Sequence, residues 1–234
     1  MYRSILAVLA ASGLVASTSA PPPTYYALNQ IARVSACTIQ CIYVVLIILQ
    51  FENDVGATQL VAANPVNVYD DMFFQGFEVF VAGTTMNTPG VEAQSPPNVI
   101  TYGATAVSTI LQGTPALTVL YADSTIDHFS FFSFFFGCVV ASEETVLGVP
   151  QPCTITVTGI DKNGKQVAQQ DFKFNTNNGL SQQMIEAKLV GFTGLQTATF
   201  STSASLVGLP INTTTAFLGD NFNYTVYGQN PISP

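Results

Sequence analysis

The residues whose types could do chemistry are a few acids, one histidine and four cysteines. The acids come as neighbours, Asp70-Asp71 and Glu143-Glu144. Two carboxylates facing each other across a cleft could hydrolyse a glycosidic bond. Adjacent acids on a strand or loop point apart, so neither pair makes that arrangement alone. The single histidine, His128, cannot build a histidine cluster for a catalytic metal. It precedes a phenylalanine-rich run and reads as a strand-end residue rather than a general base. No GxSxG elbow is present to seat a serine nucleophile. An enzyme is therefore not expected, and glycoside chemistry ranks third among the functions considered.

The cysteines fall into two pairs. Cys138 and Cys153 flank a 14-residue connection between two expected strands, which reads as a disulfide clamping neighbours in an oxidising compartment. In the chain-entropy model such a bridge contributes about 3 kcal/mol. Cys37 and Cys41 stand four apart, a spacing that groups side chains on a helix but suits a disulfide poorly there. Their pairing stays open. The four together match no zinc-ligand spacing.

The compartment follows from the first twenty residues. Arg3, an apolar run over 5–16 and Thr18-Ser19-Ala20 make a secretory signal, residues 1–20, too short to span a membrane. Without it, five basic residues face fourteen acidic ones, a charge of about −9. Five scattered cations build no basic patch, so no nucleic-acid partner is expected. Charged residues are only 9% of the chain, so Thr, Ser, Asn and Gln must supply the polar surface. Sequons at Asn212 and Asn223 predict two solvent-facing, glycosylated side chains. The polar, proline-bearing end, residues 229–234, reads as a tail without a lipid anchor, and no membrane span is expected in the mature chain.

The framework carrying these residues reads as strands. The run 129–138, FSFFSFFFGC, stops alternating after Ser133, which predicts a central strand buried on both faces. Phe129, Phe131, Ser133 and Phe135 then share one face, and Phe132, Phe134 and Phe136 the other. Strands are also expected at 41–51, 72–81, 98–106, 108–112, 116–121, 165–174, 184–192, 196–202 and 215–227. Residues 153–160 alternate Cys153, Ile155 and Val157 against Thr154, Thr156 and Thr158. Asp161-Lys162-Asn163-Gly164 follows as a hairpin turn. Residues 25–40 read as a short helix or as disordered. The stretch 37–49 is oddly apolar and could be foreign to the fold. No segment after Phe51 shows a helical stripe. About ten strands predict an all-β, antiparallel jelly-roll β-sandwich over 43–228, after an N-terminal extension over 21–42.

Six segments fall in a familiar order. Gln50-Phe51-Glu52-Asn53-Asp54 stands where TFDDL would, and Tyr69–Phe77 (YDDMFFQGF) where YxGLxFxGF would. Ser95–Tyr102 (SPPNVITY) matches SPxNVAY, and Phe129–Gly137 matches FDLKSFYFG. Ile155–Ile160 (ITVTGI) matches VTVTGY, and Phe217–Phe222 (FLGDNF) matches FLLDNL. In this order they resemble secreted β-sandwich proteins of fungi and bacteria, including extracellular domains found with PEP-CTERM anchors. The resemblance implies a galactose-binding-like jelly roll and no particular reaction. The chain departs from it at Glu52 and Asn53, in lacking the anchor, and in carrying 37–49.

Two sites follow from the resemblance. It places the first and last strands side by side, which would gather Glu52, Asp54 and Asp220 as hard oxygen ligands for a structural Ca²⁺. The alternative is that Asp220 accepts backbone hydrogen bonds at a turn. It also implies carbohydrate binding, for which Tyr69 and Tyr102 could offer ring faces and Asp70 and Asp71 could accept hydroxyls. Tyr121, Tyr224 and Tyr227 are further aromatics, and Trp is absent. The function expected is a secreted, non-catalytic module binding glycans or cell-wall polysaccharide. The rival is a structural or adhesion protein, which an exposed apolar patch would favour.

Overall fold

The computed structural model describes residues 30–37, 41–49, 65–81, 90–103, 106–140, 149–177, 179–204 and 215–229. Among them are fourteen strands and one short helix. They are β1 (Gln30–Cys37), β2 (Cys41–Leu49), β3 (Pro65–Tyr69), β4 (Met72–Val81), β5 (Gly90–Glu92) and β6 (Asn98–Tyr102). Helix α1 (Val107–Gln112) follows, then β7 (Ala116–Thr118), β8 (Ile126–Val140), β9 (Cys153–Asp161) and β10 (Gln166–Phe174). The chain closes with β11 (Ser181–Gln183), β12 (Ile185–Lys188), β13 (Leu195–Ser203) and β14 (Thr215–Gln229).

One layer runs β1-β2-β14-β8-β12, and the other β3-β4-β7-β13-β9-β10. Strand β6 joins them at one corner by pairing both β14 and β4. At the other corner, β13 touches β8 through Leu195 and Phe129. Every pairing is antiparallel except the short ribbon of β5 and β11. This is the all-β jelly-roll sandwich expected from the sequence.

The core between the layers is aromatic. Phe77 and Phe200 of one layer meet Phe131, Phe134, Phe217 and Phe222 of the other as edge-to-face and tilted rings. Such pairs add roughly 0.5–1.5 kcal/mol each beyond the area they bury.

Strand β8 corrects the two-faced reading of its phenylalanines. Ser133 pairs Asn223 while Phe131 pairs Tyr224, so Phe132 is an extra residue in β8. Phe135 pairs Asp220 while Ser133 pairs Asn223, so β14 also carries an extra residue, beside Asn221 at φ 50°. The bulges lie at one level, and each resets its strand's phase. Phe129, Phe131, Phe134 and Phe136 therefore all face the core, fully buried. Phe132 is 39% exposed and Phe135 half-buried. Toward the far end of β8, Val91 lies against Gly137.

Three other expectations change. Residues 30–37 form a strand rather than a helix or a disordered segment. Strand β1 pairs β2, and β2 pairs β14 across Phe222–Gln229, so Gln30–Cys37 and Cys41–Leu49 are part of the sheet. Residues 108–112 are helical. A six-residue helix is marginal alone, and here the bulge at Gly76 holds it. Gly76 N–H donates to Gln112 Oε1 at 2.7 Å, Thr109 Oγ1 to Gly76 O at 2.9 Å, and Ser108 N–H to Glu78 Oε1 at 2.6 Å. Gly76 sits at φ 72°, and a Cβ there would lie 2.8 Å from Gly113 O, so only glycine fits.

Candidate functional site

Three clefts follow one another around one end of the sandwich. The first, about 270 Å³, lies between the layers and beneath α1. Its walls come from Tyr102 and Gly103 after β6, Thr109 of α1, Thr114-Pro115 before β7, Phe200–Thr202 of β13, Ala204 and Thr215. The second, about 330 Å³, shares Ala204 and continues over Ser203, Cys153, Thr154, Lys173, Phe174 and Asn175. The third, about 570 Å³, is lined by Glu92, Asn177, Ser181, Gln182, Gln183, Met184 and Ile185. Gln182 bridges the last two: its Nε2 donates to Asn175 O at 2.7 Å, and its Oε1 accepts from Asn177 N at 3.1 Å.

The local sequence explains this polar track. Strands β9, β10 and β13 alternate, so where their inward residues run out, the Thr, Ser and Asn of the strand ends form the rim. The Cys138–Cys153 disulfide, Cα to Cα 6.2 Å, ties β8 to β9 directly under the second cleft. This is the bridge expected from the sequence, in the place expected.

Of the residues proposed for carbohydrate, Tyr102 alone lines the track. It is 5% exposed, lies on Phe217 at 4.7 Å, and shares a 2.7 Å hydrogen bond with Thr202 Oγ1. Burial pushes its phenol well above the usual range, against that hydrogen bond. It is a cavity wall, not a free ring face. Tyr69, Asp70 and Asp71 lie toward the opposite end, in the β3–β4 turn. Asp70 and Asp71 take φ 43° and 62°, the positive pair a two-residue hairpin needs. Tyr224 donates its hydroxyl to Asp70 O at 3.0 Å. Burial chiefly raises the Tyr224 and Tyr121 phenols, and the charge of Asp71 adds to both. The structure thus gathers Tyr69, Asp70 and Asp71 with Tyr121 and Tyr224, and separates them from Tyr102.

Asp220 is fully buried, and its carboxylate is occupied. It accepts from Ser95 N at 2.7 Å, Asn221 N at 2.7 Å and Ser95 Oγ at 3.1 Å. Burial outweighs these bonds and pushes its carboxyl up to about 6. Asp220 thus accepts backbone hydrogen bonds, the alternative to the calcium set, whose Glu52 and Asp54 are not among the described residues. Among the described residues no three acids, histidines or cysteines converge on a metal position. Glu52, Asp54, Asn212, Glu143 and Glu144 lie outside the described residues. Asn223 lies in β14, which pairs β2 and β8 there; it is half-buried, with Oδ1 buried and without a hydrogen-bond partner. His128 lies near the start of β8, stacked on Tyr227 at 4.6 Å, with Asp127 Oδ2 2.9 Å from Nδ1.

Sequence reasoning missed Thr109, Thr114, Lys173, Asn175, Asn177, Thr202, Gln182, Gln183 and Glu92. They come from separate strands and loops, so no spacing marks them. Only the Thr/Asn/Gln-rich composition pointed their way.

No protein-family model matches the chain, and no curated protein matches it. Solved structures of similar fold include a DUF4465 family protein from Bacteroides caccae, 13% identical, TM-score 0.43, covering 85% of this chain and 86% of that one. Another from Bacteroides ovatus is 10% identical, TM-score 0.39, covering 85% and 90%. The CBM22-1 xylan-binding domain of Paenibacillus barcinonensis Xyn10C is 13% identical, TM-score 0.32, covering 75% and 98%. At these identities the likeness is one of β-sandwich architecture. Among the described residues no helix is long and apolar enough to cross a membrane.

Proposed function

We propose that this chain is a secreted, non-catalytic module that binds a neutral, hydroxyl-rich polymer, a glycan of wall or environmental origin, along the three-cleft track. The observation that carries this reading is the continuity of the clefts through Ala204 and the Asn175–Gln182–Asn177 bridge. Each amide and hydroxyl in the lining can donate and accept, which matches sugar hydroxyls. A run of connected clefts suits a chain better than a compact ligand. Among the described residues that line them, Lys173 is the one cation and Glu92 the one carboxylate. A polyanion finds no cluster of charge there, and a two-carboxylate hydrolase finds no pair.

Affinity electrophoresis against xylan, mixed-linkage β-glucan, chitosan and mannan tests the proposal, followed by calorimetry on any polymer that retards the protein. Asn175→Ala with Gln182→Ala should weaken retardation at least tenfold while the thermal melt falls only slightly, since the two hydrogen bonds lost are exposed. Retardation by none of the polymers, or equal retardation of the double variant, rejects the reading. A second reading, adhesion through bulk contacts, draws on Val107, Ile110 and Leu111, which stand exposed on α1. Loss of surface attachment in Ile110→Ser with Leu111→Ser, with polysaccharide binding absent, would favour it.

A further inference from the structure

We propose that two copies of this chain pair edge to edge through β10, antiparallel, about a two-fold axis at Phe172. The pairing does not depend on the glycan reading above.

Among the described residues, β10 closes its layer and pairs only β9. The strand phases show which of its main-chain groups face outward. Phe200 N–H donates to Pro115 O at 2.8 Å, so Phe200 faces β7 and its neighbours Thr199 and Ser201 face β9. Their partners Thr158 and Thr156 are thus bonded to β13, which leaves Val157 and Ile155 to bond β10 through Gln170 and Phe172. The alternate residues Gln169, Asp171 and Lys173 turn their N–H and C=O groups to the open edge. Among the described residues none of the three bonds a turn, a loop or a side chain through its main chain. All three are exposed. The edges at β3 and β12 differ. Strand β12 has four residues, and β3 has five and begins with Pro65, whereas β10 has nine and no proline. A long edge with unpaired groups is a template for another strand.

Charge selects the partner and the register. With the axis at Phe172, Asp171 lies opposite the partner's Lys173, and Lys173 opposite the partner's Asp171, on one face of the joined sheet. The same two residues are the ones that offer main-chain groups to the edge, so each ion pair sits on a bonded pair. An axis at Asp171 or at Lys173 sets like charges opposite each other. One at Gln170 sets both charges opposite uncharged Gln169 and Val167. The edge is therefore complementary to itself in one register, as a two-fold interface requires. Thr156 Oγ1 donates to Asp171 Oδ1 at 2.7 Å and holds the carboxylate on that outer face. On the inner face Phe172 packs against Phe134 at 5.9 Å and Phe136 at 6.5 Å. It falls at the non-bonded position, where the two strands approach most closely, so it meets the partner's Phe172 and continues the aromatic core across the axis.

Sedimentation equilibrium from about 1 μM to about 1 mM, at physiological ionic strength, tests the pairing. Monomer and dimer in exchange are expected, and monomer throughout overturns the proposal. Asp171→Lys sets two lysines opposite each other across the axis, and Lys173→Asp sets two aspartates opposite. Each should weaken the dimer at least tenfold, and the two together should restore it to within about threefold of the parent. Equal dimerisation of the single variants, or no recovery in the double variant, overturns this register. Hydrogen exchange locates the contact. The amides of Asp171 and Lys173 should exchange freely in dilute protein and slow as the dimer forms. Protection of both in the monomer, or no slowing in the dimer, overturns the assignment to the β10 edge.

Discussion

Asp220 should give the protein a pH dependence opposite to that of ordinary surface acids. Its carboxyl is fully buried and raised from 3.8 to about 6 by burial. An acid raised in the folded state favours its neutral form there. The stability it contributes is fully present below about pH 4 and is lost as pH rises through 6. A rise of about two units, at about 1.4 kcal/mol per unit, makes the swing about 3 kcal/mol. For a domain with about 5–15 kcal/mol in total this is a large term. Asp220→Asn removes the titration but is not silent. Both carboxylate oxygens accept N–H groups, Oδ2 from Ser95 and Oδ1 from Asn221. An amide can satisfy one and must turn a donor toward the other, at about 1–3 kcal/mol. The variant should therefore be less stable than the parent at pH 4 by about 1–3 kcal/mol, and near the parent at pH 7.5. Urea unfolding of both proteins from pH 4 to 7.5 measures the difference, and the other titrating groups cancel. The gap should close by about 3 kcal/mol, or about 6–12 °C in Tm for a domain of this size. A constant gap would show that Asp220 does not titrate in this range. A gap that widens with pH would show that Ser95 and Asn221 hold the carboxylate ionised against burial, and would refute the reasoning.

Other consequences are checked more simply. Peptide mapping without reduction should recover Cys138 linked to Cys153, and Cys138→Ala with Cys153→Ala should lower stability by about 3 kcal/mol in chemical denaturation. Phe131→Ala and Phe134→Ala should each cost about 3–5 kcal/mol, because both rings face one core. Phe132→Ala, on the bulge, should cost about 1 kcal/mol or less. Mass spectrometry of protein from a eukaryotic secretory host should find Asn223 unglycosylated, since its side chain is half-buried between strands.

What the sequence revealed depended on where the information lay. Strand β4 was legible to the residue, because MFFQGFEVFV is strand-like throughout and its ends are turn residues. The β9–β10 hairpin was legible because alternation and turn chemistry agree over one continuous segment. Its turn keeps positive φ only at Gly164, while Asp161 Oδ1 accepts from Asn163 N and Lys165 N. The helix was not legible. VSTILQ has no stripe, and its fixing bonds come from Gly76 and Glu78, some thirty residues away. The track was not legible for the same reason, since its lining residues are neighbours only across the folded layers.

The phase of β8 is the instructive failure. Loss of alternation after Ser133 has two physical causes, burial on both faces or an inserted residue, and β8 alone cannot separate them. A bulge in β8 alone would put its two halves out of register with β14. The second bulge, at Asp220-Asn221, restores agreement and brings Phe131, Phe134 and Phe222 into one stack at 5.4–6.0 Å. That second bulge lies where β14 changes neighbour from β6 to β2. Backbone groups released by the change need partners, and the Asp220 carboxylate supplies one to Asn221 N and another to Ser95 N. A buried acid that opposes stability at neutral pH is thus tied to the device that keeps the aromatic core in phase. Replacing it with a hydrophobic residue should cost more than the acid's own burial, because two backbone donors would be stranded.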